Sequence, residues 1–139
     1  MDRRVLLIED NPLDQLLAAT ILRKNGYVVK IVDDGLDALE QVAGGEVFDI
    51  ILVDYELPTL NGIEVTQELR TLGFRRSIVA VSAGSEAELI NDWRDAGCCD
   101  FLAKPYLPRQ LRELVNHTLM RRSARRPLAF TLKYTDLRT

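Results

Sequence analysis

Short, wholly apolar runs alternate along the chain with longer stretches whose apolar residues recur at three- and four-residue intervals. Val5-Leu6-Leu7-Ile8, Ile50-Ile51-Leu52-Val53 and Ile78-Val79-Ala80-Val81 contain no polar residue, as expected of strands buried on both faces of a parallel sheet. Residues 28–32 form another such run, interrupted by Lys30 and therefore placed nearer an edge. Phe101-Leu102-Ala103 completes a set of five strands. Between them lie helical patterns. Asn11 caps the first, Pro12 takes its first position, Asp14 suits the dipole, and Leu13, Leu16, Leu17 and Ile21 follow at helical spacing up to Gly26. Asp34-Gly35 opens a second helix with Leu36, Leu39 and Val42, which Gly44-Gly45 closes. Asn61-Gly62-Ile63-Glu64 reads as a capping box for a third, running to about Leu72. Ser85-Glu86-Ala87-Glu88 is a second capping box, for a helix over 85–96 that bears Leu89, Trp93 and Ala96 and ends at Gly97. Leu111, Leu114, Val115 and Leu119 mark the last, over 108–120. Strict strand–helix alternation predicts an α/β fold, a parallel sheet covered on both faces by right-handed crossovers.

Charge divides this picture in two. Residues 1–117 carry 12 Lys/Arg against 20 Asp/Glu, a balance of −8, whereas 118–139 carry 6 against 1, a balance of +5. A chain of 139 residues suits one domain with an ordinary core, expected over 1–120, followed by a basic tail over 121–139 and no output domain. Arg121, Arg122, Arg125 and Arg126 lack the interleaved aromatics of a nucleic-acid surface, so a solvated helix end is expected there. No apolar run approaches membrane-spanning length, and Met1-Asp2-Arg3-Arg4 leads straight into a strand without a signal-peptide pattern. The adjacent Cys98 and Cys99 have no metal-ligand spacing and read as reduced thiols of a cytoplasmic protein.

The chemistry gathers where the strands end. The first ends in Glu9-Asp10, the third in Asp54, the fourth in Ser82 and the fifth in Lys104. In an open parallel sheet these positions face one crevice at the carboxyl edge. Singly, each has a plain alternative: an acidic pair after a strand is commonly a turn or cap, a loop serine bonds locally, and a lysine before proline is surface charge. Jointly they are hard to obtain by chance. Three carboxylates repel by ~4 kcal/mol per pair at ~4 Å and an effective dielectric of ~20. They call for a cation, and hard oxygen ligands with room for water suit Mg²⁺. With a lysine alongside, the crevice also suits a phosphoryl group, with Asp54 as its nucleophile.

Glu9-Asp10, Asp54 with Pro58 and Asn61-Gly62, Ser82-Ala83 and Lys104-Pro105 resemble the motifs of response-regulator receiver domains over residues 5–119. The resemblance implies a flavodoxin-like, doubly wound sheet in the order 2-1-3-4-5. It implies that Asp54 accepts phosphate from a histidine kinase or histidine phosphotransfer protein. Asp10 and Asp54 would bind Mg²⁺ directly, Glu9 through water, and the Glu56 backbone carbonyl would complete the protein ligands. Lys104 would pair with the phosphoryl group, Ser82 would close on it, and Phe101 would be the switch aromatic turning inward. A cis Lys104-Pro105 bond is expected. A downstream effector, or a second copy of the chain, would meet the face formed by the fourth helix, fifth strand and fifth helix; no membrane or nucleic-acid partner is expected. Ser82 is a common family variant, and Phe101 stands where tyrosine is frequent. Glu56 and Gly84 depart further, and both are expected to alter the lifetime of the phosphoaspartate.

Two rival functions stay open at this point. One is a phosphorylation-independent interaction module, although such modules usually lose an acid, the phosphoacceptor or the lysine. The other is a Mg²⁺-dependent phosphatase with an aspartyl intermediate, for which Glu56 has the right spacing but no substrate-binding insertion is visible. A receiver should turn over no external phosphomonoester.

Overall fold

The computed structural model describes residues 3–83 and 88–121. Five parallel strands form one sheet in the order β2-β1-β3-β4-β5. They are β1 (Arg4–Ile8), β2 (Val28–Val32), β3 (Ile50–Val53), β4 (Ser77–Ala83) and β5 (Asp100–Lys104). The helices between and after them are α1 (Pro12–Lys24), α2 (Gly35–Ala43), α3 (Gly62–Thr71), α4 (Ile90–Ala96) and α5 (Pro108–Arg121). The parallel sheet expected from the alternation and the doubly wound order implied by the resemblance are therefore present, and the strand broken by Lys30 is indeed an edge strand.

Burial follows the apolar runs. Every residue of β3 is buried, as are Val5 to Ile8 of β1 and Ser77 to Ser82 of β4. Central strands screened on both faces by helices have no solvent-facing side for polar residues. Around them pack Leu22 from α1, Val65 and Leu69 from α3, Trp93 from α4 and Leu111, Leu114 and Val115 from α5. Fully burying one such aliphatic side chain contributes ~1.5–3 kcal/mol.

The helix starts follow local chemistry. The Asn11 side chain accepts the N–H groups of Leu13 and Asp14 at 3.0 Å each, with Pro12 at the first helical position. Asn61 and Glu64 form the reciprocal capping box that their spacing predicts, both bonds at 2.9 Å. Two expectations need correction. Of the apolar residues read along α1, only Ile21 is buried; Leu13, Leu16 and Leu17 are 76%, 65% and 43% exposed. The face turned to the sheet is Ala18, Ala19, Ile21 and Leu22, a stripe offset around the helix from the leucines. α4 begins at Ile90, with Leu89 at the cap and no side-chain cap bond. Ser85, Glu86 and Ala87 of the predicted capping box, Gly84, and the basic tail beyond Arg121 lie outside the described residues.

Candidate functional site

Register alone brings the acids together. Ile8 of β1 pairs with Val53 of β3, so the residues that follow, Glu9 and Asp54, leave neighbouring strands at the same level. The Asp54 N–H bonds to the Ile8 carbonyl at 3.0 Å, and the Glu9 N–H to Val32 at 3.0 Å. On the far side Ser82 pairs with Ala103 and Ala83 with Lys104, which brings the lysine to the same edge. Glu9, Asp10 and Asp54 can each place a carboxylate oxygen within 4.8 Å of the others. Glu9 and Asp54 are only 4% and 8% exposed, whereas Asp10 faces solvent.

Lys104 sits in the middle of this charge. Its Nζ donates to Glu9 Oε1 at 2.7 Å and to Asp14 Oδ2 at 2.9 Å, and lies 3.6 Å from Asp54 Oδ2. Burial works against the ammonium, but the carboxylates of Glu9, Asp14 and Asp54 outweigh it and hold its pKa above the ordinary lysine value. Asp54 is the converse. Burial first, and then the Glu9 charge, push its carboxyl up to about 7, against the pull of Lys104 and the Tyr55 N–H. An acid within ~4 Å of an ammonium ordinarily titrates low. Here the ammonium makes its hydrogen bonds elsewhere, which leaves Asp54 with an environment short of positive charge. Glu9 and Asp54 border a small void whose other walls include Leu7, Ile8, Val53, Val81 and Tyr106. The converging ligands of Glu9, Asp10 and Asp54 are all carboxylate oxygens, and one lysine stands against these three acids and Asp14. That set fits a hard divalent cation retaining several waters, such as Mg²⁺.

The loop after Asp54 is drawn back tightly. The Gly62 N–H bonds to the Tyr55 carbonyl at 2.8 Å. Thr59 adopts φ 70°, and the Leu60 N–H reaches the Pro58 carbonyl across it at 2.7 Å. A β-branched residue in that conformation is strained, a condition that concentrates at functional loops. Tyr55 meets Trp93 of α4 edge to face, with ring centroids 6.1 Å apart. The segment that carries Asp54 therefore touches α4 directly.

Of the residues singled out in the sequence, Glu9, Asp10, Asp54 and Lys104 come together as expected. Ser82 is fully buried at the adjacent end of β4, and the Lys104-Pro105 bond is cis. The Glu56 side chain points to solvent two residues beyond Asp54. Phe101, expected to be the switch aromatic, is fully buried in β5. Two residues at the site escaped the sequence. Asp14 read only as a helix-dipole acid, and Tyr106, whose hydroxyl burial pushes up to about 12, was not singled out. The signal for Asp14 was its place one turn after Asp10, on a helix that starts at the crevice.

The class follows from fold and site together: a doubly wound α/β fold with an acid–lysine crevice at its carboxyl edge. The family model for the response regulator receiver domain matches residues 5–116, and the chain belongs to that family, the receiver domains of two-component systems. Sensor histidine kinase RcsC of Salmonella typhimurium is 35% identical over 104 residues, which cover 75% of this chain and 11% of that protein. Response regulator mcs4 of Schizosaccharomyces pombe is 34% identical over 129 residues, covering 73% of this chain and 24% of that one. The chain thus spans well under a third of the length of these relatives. The receiver domain of sensor histidine kinase PA1611 from Pseudomonas aeruginosa PAO1, solved with a magnesium ion coordinated in its active-site cleft, superposes with TM-score 0.77 at 34% identity, covering 86% of this chain and 99% of that one. A CheY-like receiver domain from Methanospirillum hungatei JF-1 shares the fold, with TM-score 0.82 at 24% identity over 89% of this chain and 98% of that one.

Proposed function

We propose that Asp54 is a phosphoacceptor, taking a phosphoryl group from the phosphohistidine of a histidine kinase or histidine phosphotransfer protein. One Asp54 carboxylate oxygen attacks phosphorus in line, and the P–N bond to the donor imidazole breaks. The electron pair of that bond leaves with the imidazole nitrogen. Glu9, Asp10, Asp54 and the Glu56 backbone carbonyl would hold Mg²⁺, which neutralises charge on the phosphoryl oxygens and templates their approach. Lys104 supplies the remaining positive charge by turning from its resting carboxylates to a phosphoryl oxygen. The Ser82 hydroxyl, at the next strand end, closes on another.

A dianionic group at this edge changes what Ser82 and Lys104 bond to. The loops after β4 and β5 would then move together, and the α4–β5–α5 face would carry the change to an effector or a second copy of the chain. The protein acts in this proposal as a cytoplasmic signalling module that releases its own phosphate and turns over no external substrate. The observation that carries it is the shared ammonium, with Lys104 within 3.6 Å of three carboxylates and Asp54 the least firmly held of them.

Treatment with Mg²⁺ and acetyl phosphate should raise the intact mass by one phosphoryl group, and Asp54→Asn should abolish the gain. A wild-type mass that never rises, with this donor or with a phosphorylated histidine phosphotransfer protein, would remove the phosphoacceptor role.

A further inference from the structure

Lys104 makes its two hydrogen bonds to Glu9 and Asp14, at 2.7 and 2.9 Å, and stands off Asp54 at 3.6 Å. Glu9 belongs to the acid cluster already described; Asp14 does not. It lies in the first turn of α1, its N–H held by the Asn11 cap at 3.0 Å, and reaches across to a residue 90 positions later in the chain. The cap fixes where the Asp14 backbone can be, so its carboxylate is presented to the lysine from a rigid element. Its side chain is 38% exposed and that of Lys104 18%, so the pair is partly screened and can open without stranding a buried charge.

Building on the phosphoacceptor role proposed above, we infer that Asp14 is a positioning residue that holds Lys104 on the α1 side of the crevice until a phosphoryl group on Asp54 draws it away. An ammonium offers three N–H donors. In the resting site Glu9 and Asp14 take two of them, and the long approach to Asp54 leaves that carboxylate open to metal. A phosphoryl group adds strong acceptor oxygens beside Lys104 and competes with Asp14 for it. Asp14 therefore acts in opposite directions on the two ligands of the site. Its charge and its hold on the lysine favour Mg²⁺ in the resting state. The same two features disfavour the phosphorylated state.

The test uses the whole chain, with Mg²⁺ alone and then beryllofluoride, a phosphoryl mimic, at saturating Mg²⁺. Asp14→Asn should weaken Mg²⁺ binding by roughly 2- to 5-fold and tighten beryllofluoride by a similar factor, the scale of one partly exposed ion pair. The ¹⁵N resonance of the Lys104 ammonium should shift towards its beryllofluoride position before any ligand is added. Asp33→Asn serves as the charge control. Asp33 is exposed just after β2 at the same sheet edge and is not among the ion-pair partners of Lys104; its variant should move each affinity by less than about 2-fold. Two affinities that fall together in Asp14→Asn, as a merely destabilised α1 would give, overturn the inference. So does a pattern indistinguishable from that of Asp33→Asn. Failure of the wild-type protein to bind beryllofluoride would instead overturn the phosphoacceptor role, and the role of Asp14 with it.

Discussion

Asp54 shows how far the surroundings of one residue reach. Its folded pKa, raised by burial and then by Glu9 to about 7, lies above that of the same carboxyl in an unfolded chain. Between those values the folded protein binds more protons than the unfolded one, so this group's contribution to stability declines as pH rises through the interval. Above about pH 7 the charged carboxylate is a net cost to the fold. Asp54→Asn removes that cost and should stabilise the metal-free protein by roughly 1–3 kcal/mol near pH 8 but by little near pH 5. Urea denaturation at both pH values in the presence of a chelator checks it; equal gains would mean that the carboxyl is not the strained group. Added Mg²⁺ should stabilise the wild-type protein by mass action and the variant much less. This tension was only half legible in the sequence. Glu9, Asp10, Asp54 and Lys104 announced themselves by ending consecutive strands, because strand ends in a parallel sheet share an edge. Asp14 did not: its place one turn after Asp10 put it near the crevice, but its contact with Lys104 joins residues 90 apart.

Elements were most legible where burial is complete. Every apolar run became a strand, because a chain buried on both faces has little room for polar residues. Helix α1 was legible in its cap and length but not in its inward face. Leu13, Leu16 and Leu17 lie around the helix from Ala18, Ala19 and Leu22, so the leucines meet solvent while that offset stripe meets the core. The start of α3 is the element junction on which the site most depends. A Cβ on Gly62 would lie 2.1 Å from the Asp54 carbonyl oxygen and 2.5 Å from the Trp93 ring. The first of these is backbone and cannot swing aside. Gly62→Ala should therefore destabilise the fold by ~2–4 kcal/mol, in the range of severe overpacking. It should also displace the segment carrying Asp54 and alter the fluorescence of Trp93, the single tryptophan. A variant with native melting temperature and native emission would show that this junction has slack.

Across the whole molecule the two edges of the sheet treat charge differently. At the amino edge, acids have dedicated partners: Asp49 pairs with Arg76 at 2.7 Å, and Asp100 with Arg121 at 2.6 Å. Asp100 is fully buried and also accepts the Thr118 hydroxyl at 3.2 Å and the Phe101 N–H at 3.1 Å. At the carboxyl edge one lysine serves several acids, and the deficit is what makes the crevice receptive to metal and phosphoryl. Asp100 and Lys104 are the first and last residues of β5, separated by ~13 Å of extended chain. At that distance perturbations of stability and of ligand binding should be nearly independent. Arg121→Ala leaves the buried Asp100 carboxylate with neutral donors only and should cost ~2–4 kcal/mol of stability, the penalty for breaking rather than replacing a buried pair. It should leave the Mg²⁺ affinity within about 2-fold of the wild-type value. Thermal denaturation and metal titration of the same variant measure the two effects separately. A large loss of Mg²⁺ affinity in a still-folded Arg121→Ala protein would mean that β5 transmits charge perturbations from one edge to the other. The α5 terminus would then belong to the signalling surface rather than to the scaffold beneath it.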